Sequence, residues 1–296
     1  MSLLSQTTPS DRAGELLLIV RRIRKRTGLS VVPMLVVEGA ADELLFEDLC
    51  AHGQQQVFAA GNRDLVEQLH RHLEQNPIEG CDCLYLVDCD GYGKTADLKS
   101  AKNLLVTETC DMEADLVHLG AARRLAKRFV GSDAGADDIV TRASALALPL
   151  SMVRRAAFKA SVSMRKEQHQ LRLADFSDLH LAAWEESTPT PDQALASVAS
   201  ELEWSKEQEE QVKARQDEIS DDFGRVCLGK DVLDAVFRLL KREGSGGVRG
   251  WSLSYFYKAL AKEIRPDDLD NWEVGRRLRA WEKASGHQLV KGGDGS

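Results

Sequence analysis

Glu38, Asp88 and Asp90 each stand just past a short apolar run, Glu38 after residues 31–37 and the two aspartates after residues 83–87. A further acidic group, Glu108, Asp111 and Glu113, follows residues 103–107. Carboxylates gathered this closely repel one another and drift toward neutrality unless a cation compensates them. A divalent ion is the simplest compensation, and oxygen donors without His or Cys select Mg2+, or Mn2+, over zinc. The competing reading is that acidic loops cap neighbouring helices, and Asp111 and Glu113 fall where a helix should start. Lys230, in Leu228-Gly229-Lys230-Asp231, is a cation at an expected helix start, where the helix dipole disfavours it. It either faces solvent after a turn glycine or reaches an anionic centre, where it would offset charge developing on a phosphate.

Rigid elements must position these residues. Residues 31–37 are apolar throughout and rich in valine, the appearance of a parallel strand buried on both faces. The spacing then predicts a helix over 41–51 with Leu44, Leu45 and Leu49 inward, a strand over 56–59 and a helix over 63–74. A strand over 83–87, a loop over 88–93 and a strand over 103–107 follow. This alternation implies βαβ units and a mainly parallel sheet, whose loops converge at the carboxyl ends of the strands. All three acidic groups fall at such ends.

Ahead of the sheet, residues 11–27 read as an N-terminal helical arm capped by Asp11 and ending before Gly28. Beyond 112 the period is helical, over 112–130, 134–147, 191–219, 230–243, 252–264 and 269–285, with one strand over 171–176. The Glu- and Lys-rich stretch 201–218 reads as an exposed helix or connecting arm, 244–250 as a flexible turn and 291–296 as a tail. The expected organisation is an arm over 1–28, an α/β domain over 29–130 and a mostly helical C-terminal region over 131–296.

Hydrophobic content of 43% against 29% charge is that of an ordinary globular chain, and no run approaches the roughly 18 apolar residues of a membrane span. An apolar run at 16–20 ahead of the basic residues 21–26 reverses the order of a signal peptide, so a cytoplasmic protein is expected. Six cysteines are too few for a disulfide scaffold, and Cys81, Cys83 and Cys89 lack the C-x-x-C spacing of a zinc site. A net charge of −8 argues against indiscriminate coating of nucleic acid. Three basic clusters nevertheless remain: Arg21, Arg22, Arg24, Lys25 and Arg26; Arg123, Arg124, Lys127 and Arg128; and Arg154, Arg155, Lys159, Arg165 and Lys166. Each is either a solvated helix face or a track for phosphates.

Val36-Val37-Glu38-Gly39-Ala40-Ala41-Asp42, followed by Leu86-Val87-Asp88-Cys89-Asp90, resembles the Toprim pattern of topoisomerases, bacterial primases and OLD-family nucleases. That pattern is a Glu-Gly after the first strand and a D-x-D after the third. Thr107-Glu108-Thr109-Cys110-Asp111-Met112-Glu113 and Gly229-Lys230-Asp231 look most like the small stand-alone Toprim effectors of phage-defence loci, of the PARIS nuclease-subunit type. The core of the likeness covers about residues 31–116. It implies a Rossmann-like Toprim domain in which Asp88 and Asp90 hold Mg2+ and Glu38 binds metal or acts as general acid and base. Glu113 would add an acidic ligand, Lys230 a catalytic cation, and Asp42 matches the family's acidic position in the first helix. The implied activity is metal-dependent hydrolysis of DNA or RNA, tRNA included, by a toxic effector of abortive infection.

Gly93-Lys94-Thr95 resembles the end of a P-loop, but Asp88 stands where its first glycine should be, and carboxylates there repel a triphosphate. Because OLD-family enzymes carry their ATPase on the same chain, nucleotide sensing here is expected from a separate ABC-type ATPase subunit. Trp251, Tyr255, Phe256, Tyr257, Trp272 and Trp281, beside Arg276, Arg277 and Arg279, are of the types enriched at interfaces, or form a helical core. A homodimer is a further assembly the sequence leaves open. Two rival functions are a D-x-D phosphatase with Asp88 as nucleophile and a non-catalytic Toprim module.

Overall fold

The computed structural model describes residues 8–47, 49–51, 56–89, 101–166, 169–219, 228–244 and 247–291. The chain divides by its contacts into two compact units, Met1–Glu108 with Tyr257–Ser296, and Thr109–Phe256. This grouping joins residues 109–130 to the later helices and returns the last forty residues to the first unit.

In the first unit, Val32–Val37 (β1) is buried at every position. A strand apolar on both faces lies inside its sheet, where its buried backbone groups need a hydrogen-bonding neighbour on each edge. It pairs with Val57–Ala59 (β2) on one side and Cys81–Val87 (β3) on the other, and Leu104–Val106 (β4) pairs with β3. All pairs are parallel, in the order β2-β1-β3-β4, so this is an α/β unit with a Rossmann-like parallel sheet. Val37 lies opposite Ala59, and Val87 opposite Val106.

Pro9–Thr27 (α1) and Arg63–Gln75 (α3) cover one face: Leu16, Val20 and Ile23 of the first and Val66, Leu69 and Leu73 of the second share a core with Met34, Val36, Tyr85 and Val87. α1 is capped by Thr8 and not by Asp11. Pro9 suits the first helical position, and the Asp11 N–H bonds to the Thr8 hydroxyl while Asp11 bonds back to the Thr8 N–H at 2.8 Å. The helix ends at Gly28, whose φ of 74° is the left-handed conformation glycine tolerates.

Ala40–Glu47 (α2) is shorter than expected, with Leu45 and Phe46 buried and Leu44 and Leu49 half-buried. Cys81 and Cys83 share a face, their sulfurs 3.4 Å apart.

The second unit is mostly helical. Periodicity alone predicts one helix over 112–130, but Met112–His118 (α4) and Ala121–Val130 (α5) are separated at Gly120, which takes a φ of 77°. Asp133–Lys159 (α6) runs a further twelve residues past the expected 147 and contains Pro149. A two-residue strand pair, Arg165–Lys166 (β5) and His169–Gln170 (β6), precedes the segment expected to be a strand over 171–176. That segment is instead a 3-10 turn, Leu173–Asp175, closed by the Asp175 carboxylate on the Arg172 N–H at 2.7 Å.

Asp178–Glu186 (α7) follows the turn. The expected helix over 191–219 is two, Pro191–Glu201 (α8) and Lys206–Gln216 (α9), parted where Glu203 takes a φ of 52°. α9 is the exposed helix of the two readings given for 201–218, most of its residues facing solvent, and it is tied down by the buried Val212 and by the Gln216 amide, which donates to the Pro191 carbonyl at 3.0 Å. Gly229–Glu243 (α10) is strongly amphipathic, and Leu253–Ala261 (α11) leads back to the first unit.

There, Pro266–Asn271 (α12) and Glu273–Ser285 (α13) follow. Trp272 stacks on Phe46, and an antiparallel bridge joins Cys50 to Val290. No helix among the described residues is long and apolar enough to cross a membrane.

Candidate functional site

At the carboxyl end of the sheet, backbone bonds lace the strand ends together. The Gly61 N–H donates to the Glu38 carbonyl at 2.8 Å, the Asp88 N–H to Glu38 Oε1 at 2.8 Å, and the Cys89 N–H to the Thr107 hydroxyl at 2.8 Å. The first two expected site residues therefore meet directly. In the parallel register Val36 lies opposite Tyr85, so Glu38 comes level with the end of β3 and its side chain reaches the next N–H, that of Asp88.

Glu38 is half-buried and Asp88 buried. The Arg63 guanidinium donates to the Asp88 carbonyl at 3.2 Å and pairs through Nε with Glu67 at 2.9 Å. Asp42 is buried, and its Oδ2 accepts the Gly39 N–H at 2.9 Å, which fixes the Glu-Gly turn at the start of α2. Asp90 lies outside the described residues, as do Gly93, Lys94 and Thr95.

Glu38 and Asp88 are oxygen donors of the kind a hard divalent ion takes, and in that respect the residues fit Mg2+ or Mn2+. Among the described residues, no three His, Cys, Asp or Glu side chains converge into a metal-holding group. Glu108 has a different partner within the same unit: its Oε1 accepts the Glu273 N–H at 2.6 Å and so anchors the start of α13.

In the second unit the remaining candidates, Glu113 and Lys230, come together. Asp111 caps α4 with Oδ1 on the Ala114 N–H at 2.8 Å, and the same oxygen accepts the Gly229 N–H at 2.9 Å. One carboxylate thus holds the starts of α4 and α10. Glycine is required at 229 because a Cβ there would sit 1.8 Å from the Ala114 nitrogen. This close approach brings Lys230 Nζ to 3.8 Å from Glu113 Oε1. Glu113 is fully enclosed, while the Lys230 side chain is 33% exposed. Burial pushes Asp111 up to about 6, against the opposing pull of Lys230 and the two N–H donors. Lys230 at a helix start therefore has a local electrostatic counterweight.

The sequence reading missed the buried ionic group behind these helices. Arg154 and Asp231 are 2% and 0% exposed and pair at 2.8 Å. The other oxygen of Asp231 accepts the Leu173 N–H at 2.9 Å, and Arg154 donates to the Leu171 carbonyl at 2.8 Å. Arg172 pairs with Asp234 at 2.7 Å. Burial nevertheless raises Asp234 to about 7, because removal from water outweighs the Arg172 charge. The signal for Arg154 was present: Ala143, Ala147, Leu150, Arg154 and Ala157 recur at helical spacing along the buried side of α6.

Of the aromatic set considered for an interface, Phe256, Tyr257, Trp272 and Trp281 are core residues. Tyr255 is 55% exposed and meets Trp251 edge-on at 4.6 Å. No protein-family model matches this chain, and no curated protein or solved structure is significantly similar to it.

Proposed function

We propose that the chain is a Toprim-type, Mg2+-dependent nuclease that hydrolyses phosphodiester bonds of DNA or RNA. The observation that carries the reading is the hydrogen bond from the Asp88 N–H to Glu38 across the ends of adjacent parallel strands. It joins the two halves of the Glu-Gly and D-x-D pattern. In this reading Asp88 and Asp90 hold the ion, with Mn2+ as a substitute, and Glu113 adds an acidic group. When bound, the ion supplies Lewis-acid activation of the phosphate and of the attacking water.

Glu38 takes the proton of that water as the new P–O bond forms and the old ester bond breaks, and the departing oxygen takes up a proton. Asp88 fixes the Glu38 carboxylate through its main chain, so the base is oriented before substrate arrives. Lys230 offsets the negative charge gathering on the phosphate. The chain would act as a toxic effector of phage defence, governed by a separate ABC-type ATPase subunit.

The test is cleavage of plasmid, phage DNA and total tRNA with Mg2+ or Mn2+ and with EDTA, by wild type and by Glu38→Ala and Asp88→Ala. Cleavage that needs the ion and both carboxylates supports the reading; cleavage by either variant at the wild-type rate refutes it. Co-purification with the product of a neighbouring ATPase gene, and cleavage released by a phage trigger, test the partner.

A further inference from the structure

The three basic clusters of the sequence have different fates. In the second cluster Arg123 pairs with Asp133 and Asp137, and Lys127 pairs with Asp133. In the third, Arg154 is buried on Asp231 and Lys159 pairs with Glu218. The first cluster keeps its charge outward. Arg21, Arg22, Lys25 and Arg26 are all exposed, and among the described residues no carboxylate forms an ion pair with any of them.

The acidic residues of α1 are engaged elsewhere: Asp11 in the cap at Thr8, and Glu15 with Arg12 at 2.6 Å. At 3.6 residues per turn the four cations occupy an arc of about 140°, with the exposed Leu18 in its middle, opposite the buried Leu16, Val20 and Ile23. The helix dipole favours cations in the last turn only. It accounts for Lys25 and Arg26 but not for Arg21 and Arg22, which precede that turn.

We infer that this face of α1 is an anchoring surface for the phosphate backbone of a duplex nucleic acid; the inference rests on the nuclease reading above. Four outward charges without carboxylate partners, on a chain of net charge −8, are complementary to a regularly spaced polyanion. Placement within the first unit adds a geometric requirement.

The Arg12 guanidinium lies 5.9 Å from the Phe58 ring and against Gly61, at the carboxyl end of β2. Arg24 lies against Gly80, just before the amino end of β3. α1 therefore runs from the Glu38–Asp88 end of the sheet to the opposite end, and the cationic face is about 20 Å from the carboxylates at 1.5 Å per residue. A duplex with base pairs spaced about 3.4 Å apart would reach the α1 face some six base pairs from the bond held at Glu38 and Asp88.

The experiment measures binding apart from cleavage. Fluorescence anisotropy in EDTA, from 50 to 200 mM salt, uses DNA and RNA duplexes of one sequence. Wild type is compared with Arg21→Gln/Arg22→Gln/Lys25→Gln/Arg26→Gln, with the two single variants Arg21→Gln and Arg22→Gln, and with Arg21→Lys/Arg22→Lys/Arg26→Lys. Gln is a good helix former, and circular dichroism checks that the variants fold.

On DNA, losing four phosphate contacts should lower the log–log salt slope by about 3.6, so that the roughly hundredfold weakening those contacts give over this salt range disappears. Each single variant should lose about 0.9 of slope, and the lysine variant should keep the wild-type slope. Shortening the duplex arm below about six base pairs should mimic the fourfold variant. Equal slopes in wild type and the glutamine variants, or no duplex binding by wild type, overturn the inference. Binding to phosphatidylserine vesicles that alone responds to the substitutions overturns it in favour of a lipid surface. Because no divalent ion is present, these results leave the nuclease reading to be judged by cleavage.

Discussion

Asp88 of the first unit and the buried aspartates of the second are held in opposite ways. In the first, Asp88 is fixed by its main chain, its N–H bonded to Glu38 and its carbonyl to Arg63. In the second, the side-chain oxygens themselves are the anchors: Asp111 holds two helix starts, and Asp231 and Asp234 each hold an arginine. The main-chain bonds of Asp88 place it without using its carboxylate, whereas Asp111, Asp231 and Asp234 are placed through theirs. The difference separates an aspartate held by its backbone from aspartates that are framework, which residue counts alone do not.

Four measurements would break or sharpen this contrast. Arg154→Ala leaves Asp231 enclosed without its guanidinium, and should cost about 3–5 kcal/mol, or a fall of roughly 10 °C in Tm. Replacing both partners together, as Arg154→Met with Asp231→Leu, should recover much of that loss. If the single variant melts like wild type, the framework role assigned to this pair is wrong.

In the first unit the order of effects reverses. Glu38→Ala or Asp88→Ala should lower cleavage by about a thousandfold, while urea unfolding shifts by about 1 kcal/mol or less. A large loss of stability with cleavage retained per folded molecule would make these residues framework after all. Lys230→Ala stands between the two: the rate of the bound substrate should drop by about a hundredfold with KM little changed, and a Lys230→Ala protein that cleaves normally assigns the lysine to Glu113 alone.

The smallest effect is in pH. Asp111 and Asp234 have folded values raised to about 6 and about 7, above the ordinary 3.8, so the folded second unit binds protons that the unfolded chain releases. Stability should therefore fall as pH rises from about 4 to about 7 and level off above that window. Asp234→Asn should flatten the upper part of this slope in thermal melts taken across the range; an unchanged slope would mean that Asp234 stays ionised throughout.

The sheet was legible because the run at 32–37 and the punctuation around it are local signals. The placement of Glu38 and Asp88 at the strand ends was legible for the same reason, since a buried parallel strand determines where the next residue emerges. The misread segments were decided by partners far along the chain. Leu171 to Phe176 reads as a strand, but its N–H at Leu173 goes to Asp231 and its carbonyl at Leu171 to Arg154. Lys230 looked out of place at a helix start because its counter-charge lies on α4, and the anchoring pair Asp111 and Gly229 are 118 positions apart. Gly120 did carry its own signal, and helical periodicity on either side of it obscured the break.

The bridge between Cys50 and Val290, flanked by bonds from the Ala51 N–H to the Leu289 carbonyl and from the Lys291 N–H to the Leu49 carbonyl, has a consequence for synthesis. Roughly 240 residues separate its two sides, so a ribosome adding about 5–20 residues per second needs some 12 to 50 seconds between them. All of the second unit is translated in that interval. The segment that follows α2 thus leaves the ribosome early but cannot gain these backbone partners until the chain is nearly finished, whereas the four strands of the sheet are all made by residue 106.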